Sequence, residues 1–155
     1  MFKLDSEDDL LAAFRPKDRS QVELASGMAF PLIVRGYTAW VHPSGGKVFL
    51  VFAAAGDAPT GIVFATNGAG PQVPNMCDWC HSAGPSVRAG MLTAKVNAKK
   101  LAGVHVCYDL SCREKLEEEA NRLGKSAKPA MDKVVARMGK FASDVLKIDL
   151  SGAGR

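Results

Sequence analysis

The feature that most constrains the fold of this sequence is a group of four cysteines confined to 36 residues. They form two pairs, Cys77 with Cys80 and Cys107 with Cys112, so the spacing is C-x2-C, then 26 residues, then C-x4-C. Zn²⁺ prefers a tetrahedral set of nitrogen or sulfur ligands, and two short-spaced pairs each contribute one edge of the tetrahedron. The pattern therefore predicts a zinc site made by all four cysteines.

The residues between and after the two pairs predict how the site is built. Two strand-like runs, Met91–Val96 and Leu101–Cys107, are joined by Asn97-Ala98-Lys99-Lys100, which is typical of a hairpin. Cys112 begins a stretch with helical periodicity, and Gly124 is predicted to be its C-cap. A cysteine turn, a hairpin and a helix carrying the last ligand make up the treble-clef arrangement. Four thiolates leave no position for an activated water, so the predicted zinc is structural.

Three other readings of the cysteines remain open at this stage. Cys77 to His81 also spells C-x-x-C-H, the attachment sequence of c-type haem, although that reading leaves the second pair unused. A thioredoxin-like C-x-x-C motif opens a helix after a βαβ start, whereas here the motif precedes a hairpin. Finally, His81 or His105 could replace one cysteine as a ligand.

The first half of the chain predicts a helix followed by a small, mostly antiparallel sheet. Ser6 and Asp9 give a weak capping signal for a short helix that Pro16 limits. Four runs rich in β-branched and aromatic residues follow, separated by Gly and Pro clusters at 43–46, 56–61 and 68–74: Leu32–Val34, Tyr37–Val41, Lys47–Ala54 and Gly61–Ala65. The continuous apolar run Val48–Phe52 indicates a strand that is buried on both faces.

The last part of the chain predicts an amphipathic helix over residues 129–147, with Pro129 in its first turn. The predicted fold class is therefore α+β, a small sheet with flanking helices plus a four-cysteine treble-clef zinc finger. We divide the chain into an N-terminal helix and sheet region, residues 1–74, and a zinc finger with its C-terminal helix, residues 75–155. The two regions are expected to form one compact unit.

Composition and motifs exclude several classes of function. The sequence has no P-loop, H-E-x-x-H, G-x-S-x-G or G-x-G-x-x-G motif, so we expect no enzyme. No apolar run approaches the roughly 20 residues that span a bilayer. The N-terminus carries four early acids, unlike a secretory signal. We therefore expect a cytoplasmic protein without a membrane partner, and a monomer.

The charge distribution suggests a binding surface. The net charge of +4 is too small to imply a nucleic-acid partner by itself, but no acidic residue lies between Asp78 and Asp109. The same interval contains Lys95, Lys99 and Lys100 at and beside the predicted hairpin turn. A rigid hairpin with a basic end suits an acidic protein surface or RNA phosphate. We take these lysines, together with Tyr108 beside the second cysteine pair, as candidate contact residues.

Three stretches carry a specific resemblance. They are Cys77-Asp-Trp-Cys-His81, Met91-Leu-Thr-Ala-Lys95 and Val106-Cys-Tyr-Asp-Leu-Ser-Cys-Arg113, and an amphipathic helix follows them. Together they resemble the C-terminal treble-clef domain of the FBP family, which includes the elongation-factor-G-binding proteins that confer fusidic acid resistance. The resemblance is sharpest over residues 75–148.

The resemblance implies a zinc ligand set of Cys77, Cys80, Cys107 and Cys112. It also implies an adaptor that binds elongation factor G and modulates its association with, or release from, the ribosome. The resistance proteins carry an additional N-terminal helical bundle, for which this sequence has no room before its strands. The alternative function is a ribosome- or RNA-binding zinc module.

Overall fold

The computed structural model describes residues 1–66, 76–84 and 87–153 of the chain. Its strands are β1 Phe2–Leu4, β2 Leu32–Val34, β3 Tyr37–Val41, β4 Lys47–Phe52, β5 Thr60–Thr66, β6 Ala89–Asn97 and β7 Lys100–Cys107. Its α-helices are α1 Glu7–Ala12, α2 Cys112–Leu123 and α3 Lys128–Lys140. This mixed architecture confirms the α+β prediction. The Gly and Pro segment 68–74, predicted to be a connection, lies outside the described residues.

The strands form two antiparallel sheets. β1 pairs with β2, and the larger sheet has the order β3-β4-β5-β6-β7. The hairpin β6–β7 of the zinc finger therefore extends the sheet of the N-terminal region, with Ala65 and Thr66 of β5 opposite Thr93 and Leu92 of β6. This continuous hydrogen bonding fixes the position of the finger relative to strands β3–β5.

Strand β4 lies between two hydrophobic cores, because apolar groups cover both of its faces. Val48, Leu50 and Phe52 point into a core that contains the cysteines and helix α3, which we call the finger-side core. Phe49 and Val51 point the other way into a second cluster, the N-terminal core. The buried members of the N-terminal core are Leu4, Leu10, Ala13, Phe14, Trp40, Phe49 and Val51. The prediction of a strand buried on both faces is confirmed.

The helix ends follow the local sequence signals. The Ser6 hydroxyl accepts a hydrogen bond from the Asp9 amide at 3.2 Å and caps α1. Gly124 takes φ +67° and ends α2, as the C-cap prediction required. The predicted continuous helix over residues 129–147 is wrong in its last part, because α3 ends at Lys140 and a π-helical turn, Phe141–Val145, follows. In that turn the Leu146 amide bonds to the Phe141 carbonyl, five residues back.

Two short elements were not predicted. Strand β1 pairs with β2 about 30 residues away, and a 3₁₀ helix, Pro16–Gln21, begins at the proline that ends the α1 signal. Leu4 of β1 is a buried member of the N-terminal core. Within the described ranges, no helix is long and apolar enough to cross a membrane.

Candidate metal centre

The structure brings the sulfurs of Cys77, Cys80, Cys107 and Cys112 together, all within 4.8 Å of one another. All four residues are buried, and none forms a disulfide. Two of the sulfur–sulfur distances are 3.7 Å, between Cys77 and Cys112, and 3.8 Å, between Cys80 and Cys107. With Zn–S bonds of about 2.3 Å, the edge of a regular tetrahedron is about 3.8 Å. The four sulfurs therefore have the spacing of a tetrahedral metal site.

The first pair of sulfurs is held by a tight turn. The Cys77 amide bonds to the Ser82 carbonyl at 3.0 Å, and the His81 amide bonds to the Cys77 carbonyl at 2.8 Å. His81 adopts a φ of +61°, which completes the turn. The Asp78 amide then bonds to the His105 carbonyl at 2.8 Å, which attaches the turn to strand β7. The first pair is thus positioned directly beside the strand that ends in the third cysteine.

The second pair is held by the junction of a strand and a helix. Cys107 is the last residue of β7, and Cys112 is the first residue of α2. Between them the Leu110 amide bonds to the Cys107 carbonyl at 3.0 Å, and Leu110 has a φ of +56°. The helix N-terminus places its positive dipole end next to Cys112, which favours the thiolate.

Tyr37 of strand β3 fixes this junction from the sheet. Its hydroxyl donates to the Leu110 carbonyl at 2.6 Å and accepts from the Arg113 amide at 2.9 Å, so the two bonds bracket Cys112. Burial raises the pKa of Tyr37, and the hydroxyl therefore remains a donor at all ordinary pH values. The Arg113 guanidinium lies 4.6 Å from the centre of the Tyr37 ring and also bonds to the Tyr37 carbonyl.

We expect the substitution Tyr37→Phe to destabilise the protein by about 1–3 kcal/mol, because it removes a hydroxyl with two partners and leaves no cavity. The Leu110 carbonyl loses a hydrogen-bond donor in the buried core. The change is measured as a shift in the midpoint of urea unfolding at constant slope. An unchanged midpoint would contradict the role given to the hydroxyl.

Hydrogen bonds among the sulfurs lower the pKa of two of the thiols and raise the pKa of a third. Bonds from Cys107 and Cys112 lower the pKa of Cys77 to about 7, and the same two neighbours lower the pKa of Cys80 well below its usual value. The pKa of Cys112 is raised, mainly by its bond with Cys107. These downward shifts favour the thiolate at Cys77 and Cys80, and the thiolate is the form that binds metal.

Three further groups contact the sulfurs. The Cys80 amide lies 3.4 Å from Cys77 Sγ, and the Ser82 hydroxyl lies 3.3 Å from Cys80 Sγ. Lys115 Nζ lies 3.1 Å from Cys107 Sγ. Burial lowers the pKa of Lys115, but its bond to Cys107 and the charges of Cys80 and Asp109 raise it overall. The ammonium group is therefore charged beside the sulfur.

The donor set fits Zn²⁺ better than it fits the other readings. Four buried sulfurs at tetrahedral spacing match a structural zinc site, which has four protein ligands. The described residues place no histidine nitrogen in this cluster. His81 is exposed at the surface of the turn, and the ring atom Nε2 of His105 is buried without a hydrogen-bond partner among the described groups.

The predicted contact residues lie in two different environments. Lys95, Lys99 and Lys100 are exposed at the end of the β6–β7 hairpin, where the Asn97 side chain accepts a bond from the Lys99 amide at 2.8 Å. Tyr108 is half-buried, and its ring lies over Gly90 so closely that a Cβ there would meet the hydroxyl oxygen. The role of these four residues in binding stays a prediction.

Sequence reasoning missed three residues: Tyr37 and Lys115, which lie beside the metal centre, and Lys17, which lies at the end of the β6–β7 hairpin. Tyr37 gives no sequence signal, because its partners lie more than 70 residues away. Lys115 has a weak signal, since it follows Ser111 by one helical turn on the side of the last ligand. Lys17 is exposed near the hairpin end, 3.5 Å from the Val96 carbonyl, and only the fold brings it there.

A cysteine turn, a hairpin and a helix around one cluster of four buried sulfurs define a zinc-finger protein of the treble-clef class. More narrowly, the chain matches the FBP C-terminal treble-clef zinc-finger family over residues 10–146 and belongs to that family. The resemblance stated from the sequence is confirmed, and the match begins well before residue 75, at residue 10.

Among solved structures, the chain is similar to the fusidic acid resistance protein FusC, with a TM-score of 0.51 and 20% sequence identity. The similarity covers 79% of this chain but 56% of FusC, so the chain spans little more than half of that protein. At this identity the likeness shows a shared fold. No curated protein matches the chain in sequence.

Proposed function

We propose that this chain holds one Zn²⁺ through its four cysteines and acts as a cytoplasmic, non-enzymatic adaptor. Its proposed partner is elongation factor G, whose association with or release from the ribosome it would modulate. Membership of the FBP zinc-finger family and the fold shared with a fusidic acid resistance protein support this function. A cytoplasmic location follows from the proposed partner.

Zinc has a structural role in this proposal. The four sulfurs come from the 77–80 turn, the end of β7 and the start of α2. A metal bound by all four ligands joins these segments, and in such sites the binding energy is largely folding energy. The site therefore fixes the base of the β6–β7 hairpin.

The observation that carries the docking proposal is the exposed basic end of this hairpin. Four lysines lie there, and we call them the lysine cluster: Lys17, Lys95, Lys99 and Lys100. The hairpin end is also held in place, because Arg15 Nη2 donates to the Lys95 carbonyl at 2.7 Å. Arg15 is itself fixed by the buried carboxylate of Asp18 at 2.8 Å. The hairpin is therefore held at its base by the metal site and at its end by Arg15. Because it is held in this way, its positively charged surface loses little entropy on binding an acidic protein surface.

Reversing three charges of this cluster is expected to weaken binding of elongation factor G about tenfold at low salt. Exposed ion pairs contribute about 0.2–1 kcal/mol each, and three of them correspond to about one order of magnitude in affinity. The variant is Lys95→Glu/Lys99→Glu/Lys100→Glu, and the measurement is calorimetric titration with the organism's own elongation factor G.

The matched control is Lys125→Glu/Lys133→Glu/Lys140→Glu, which changes the net charge equally at exposed lysines before and along α3. Equal losses in both variants would show a nonspecific charge effect and contradict the docking site. No binding of the wild-type protein at tens of micromolar would overturn the partner. Binding to rRNA fragments that falls steeply with salt would instead support the alternative of an RNA-binding module.

A further inference from the structure

The proposed zinc centre carries a net negative charge that its ligands do not neutralise. Four thiolates around one Zn²⁺ carry a net charge of −2, and the sulfurs of Cys77, Cys107 and Cys112 belong to residues with 0% exposure. A buried charge is costly unless it is paired or hydrogen-bonded. The protein groups that contact the sulfurs therefore determine how stable the loaded site is.

The described contacts supply one charged donor to the sulfurs. The Cys80 amide is a neutral donor 3.4 Å from Cys77 Sγ, and the Ser82 hydroxyl, 3.3 Å from Cys80 Sγ, is also uncharged. Lys115 Nζ is closer to its sulfur, at 3.1 Å from Cys107 Sγ, and it carries a positive charge. Hydrogen bonds with an ionised donor are stronger than bonds between neutral groups.

The position of Lys115 is built by the fold. Lys115 lies in the first turn of α2, and its Nζ also contacts the Ser111 hydroxyl at 2.9 Å. Ser111 immediately precedes the ligand Cys112, so the side chain of Lys115 runs back along the helix to the metal site. Its half-buried stem and two polar partners restrict the ammonium group to one place.

We propose that Lys115 is a positioning residue of the metal centre, which orients the Cys107 thiolate and compensates part of the charge of the four-thiolate set. This inference rests on the zinc site proposed above and is independent of elongation factor G. An ammonium group bonded to a thiolate lowers its nucleophilicity, and its positive charge offsets the repulsion among the four thiolates that hold the metal. Lys115 should therefore slow both the release of metal and the attack of electrophiles at Cys107.

The test compares Lys115→Met, which keeps most of the stem but removes the charge, with Lys115→Arg, which keeps a charged donor. Loss of such an outer partner typically lowers metal affinity about 10–100-fold. We expect Lys115→Met to lose zinc to a chromogenic chelator at least tenfold more readily, and Lys115→Arg to recover much of that loss. Lys133→Met, at an exposed position of α3, is the matched control and should behave like the wild type.

Two readouts separate this role from a general loss of stability. In the cobalt-substituted protein, removing the ammonium group should move the sulfur-to-metal charge-transfer band to longer wavelength, because the thiolate electrons are less stabilised. In limited alkylation with iodoacetamide, Cys80, which is 9% exposed, should react first in the wild type, and Cys107 should become reactive in Lys115→Met.

Unchanged chelator competition, cobalt spectrum and alkylation order in Lys115→Met would overturn the inference while leaving the zinc site intact. Equal acceleration of alkylation at all four cysteines would also overturn it, since a structural role alone produces that result. A wild-type protein that binds neither zinc nor cobalt would overturn both this inference and the proposed zinc site.

Discussion

Replacing Cys107 with serine is expected to abolish stoichiometric zinc binding and to unfold the metal-holding part of the chain. The residue is 0% exposed and ends strand β7, so the substitution removes a ligand at the point where strand, turn and helix meet. Zinc binding contributes about 10–16 kcal/mol in zinc-finger peptides, which is comparable with the whole stability of a domain, about 5–15 kcal/mol. Metal analysis and thermal unfolding measure the two effects.

Val106→Ala provides the matched control, because Val106 is the neighbouring residue, is equally buried and has no metal donor. It should cost about 2 kcal/mol through lost packing and retain one zinc per chain. A chelator should lower the melting temperature of the wild type and of Val106→Ala, but should hardly change that of Cys107→Ser. If Cys107→Ser kept one zinc and an unchanged melting temperature, Cys107 would not be a ligand.

The parts of the fold that the sequence predicts are those with local physical causes. The apolar run Val48–Phe52 predicts a strand with two buried faces, and β4 has them. Ser6 and Gly124 mark helix ends through hydrogen bonds and a positive φ that depend on a few neighbouring residues. The cysteine spacing likewise predicts a cluster, because only one set of four thiols is available.

The parts that the sequence does not predict depend on distant partners. Strand β1 has three residues, too few for a periodic signal, and it pairs with a strand 30 residues away. Tyr37 and Lys17 acquire their roles only when β3 and the 3₁₀ helix meet the finger. The π-helical turn Phe141–Val145 keeps the apolar residues of the expected helix, so the pattern does not distinguish it from a continued α-helix.

The same dependence on distant partners makes Phe14 a second sensitive position, and we expect Phe14→Ala to destabilise the protein by about 3–5 kcal/mol. Its ring is 0% exposed at the centre of the N-terminal core and lies directly against Gly61 of β5. The backbone supports this contact, since the Gly61 amide bonds to the Ala13 carbonyl at 2.9 Å. Because the N-terminal core lies across the sheet from the cysteines, zinc content should remain at one per chain while stability falls.

A double-mutant cycle with Gly61→Ala tests whether this contact is the cause. A Cβ on Gly61 would lie 2.6 Å from Phe14 ring carbons, closer than real contacts allow, so Gly61→Ala alone should destabilise by about 1–3 kcal/mol. In the Phe14→Ala background the ring is absent and the added methyl group partly fills the space. Gly61→Ala should then be nearly neutral, giving a coupling of about 1–3 kcal/mol in urea unfolding. Additive losses would instead show that the cost of Gly61→Ala does not arise from the Phe14 ring and that the ring contact is incidental.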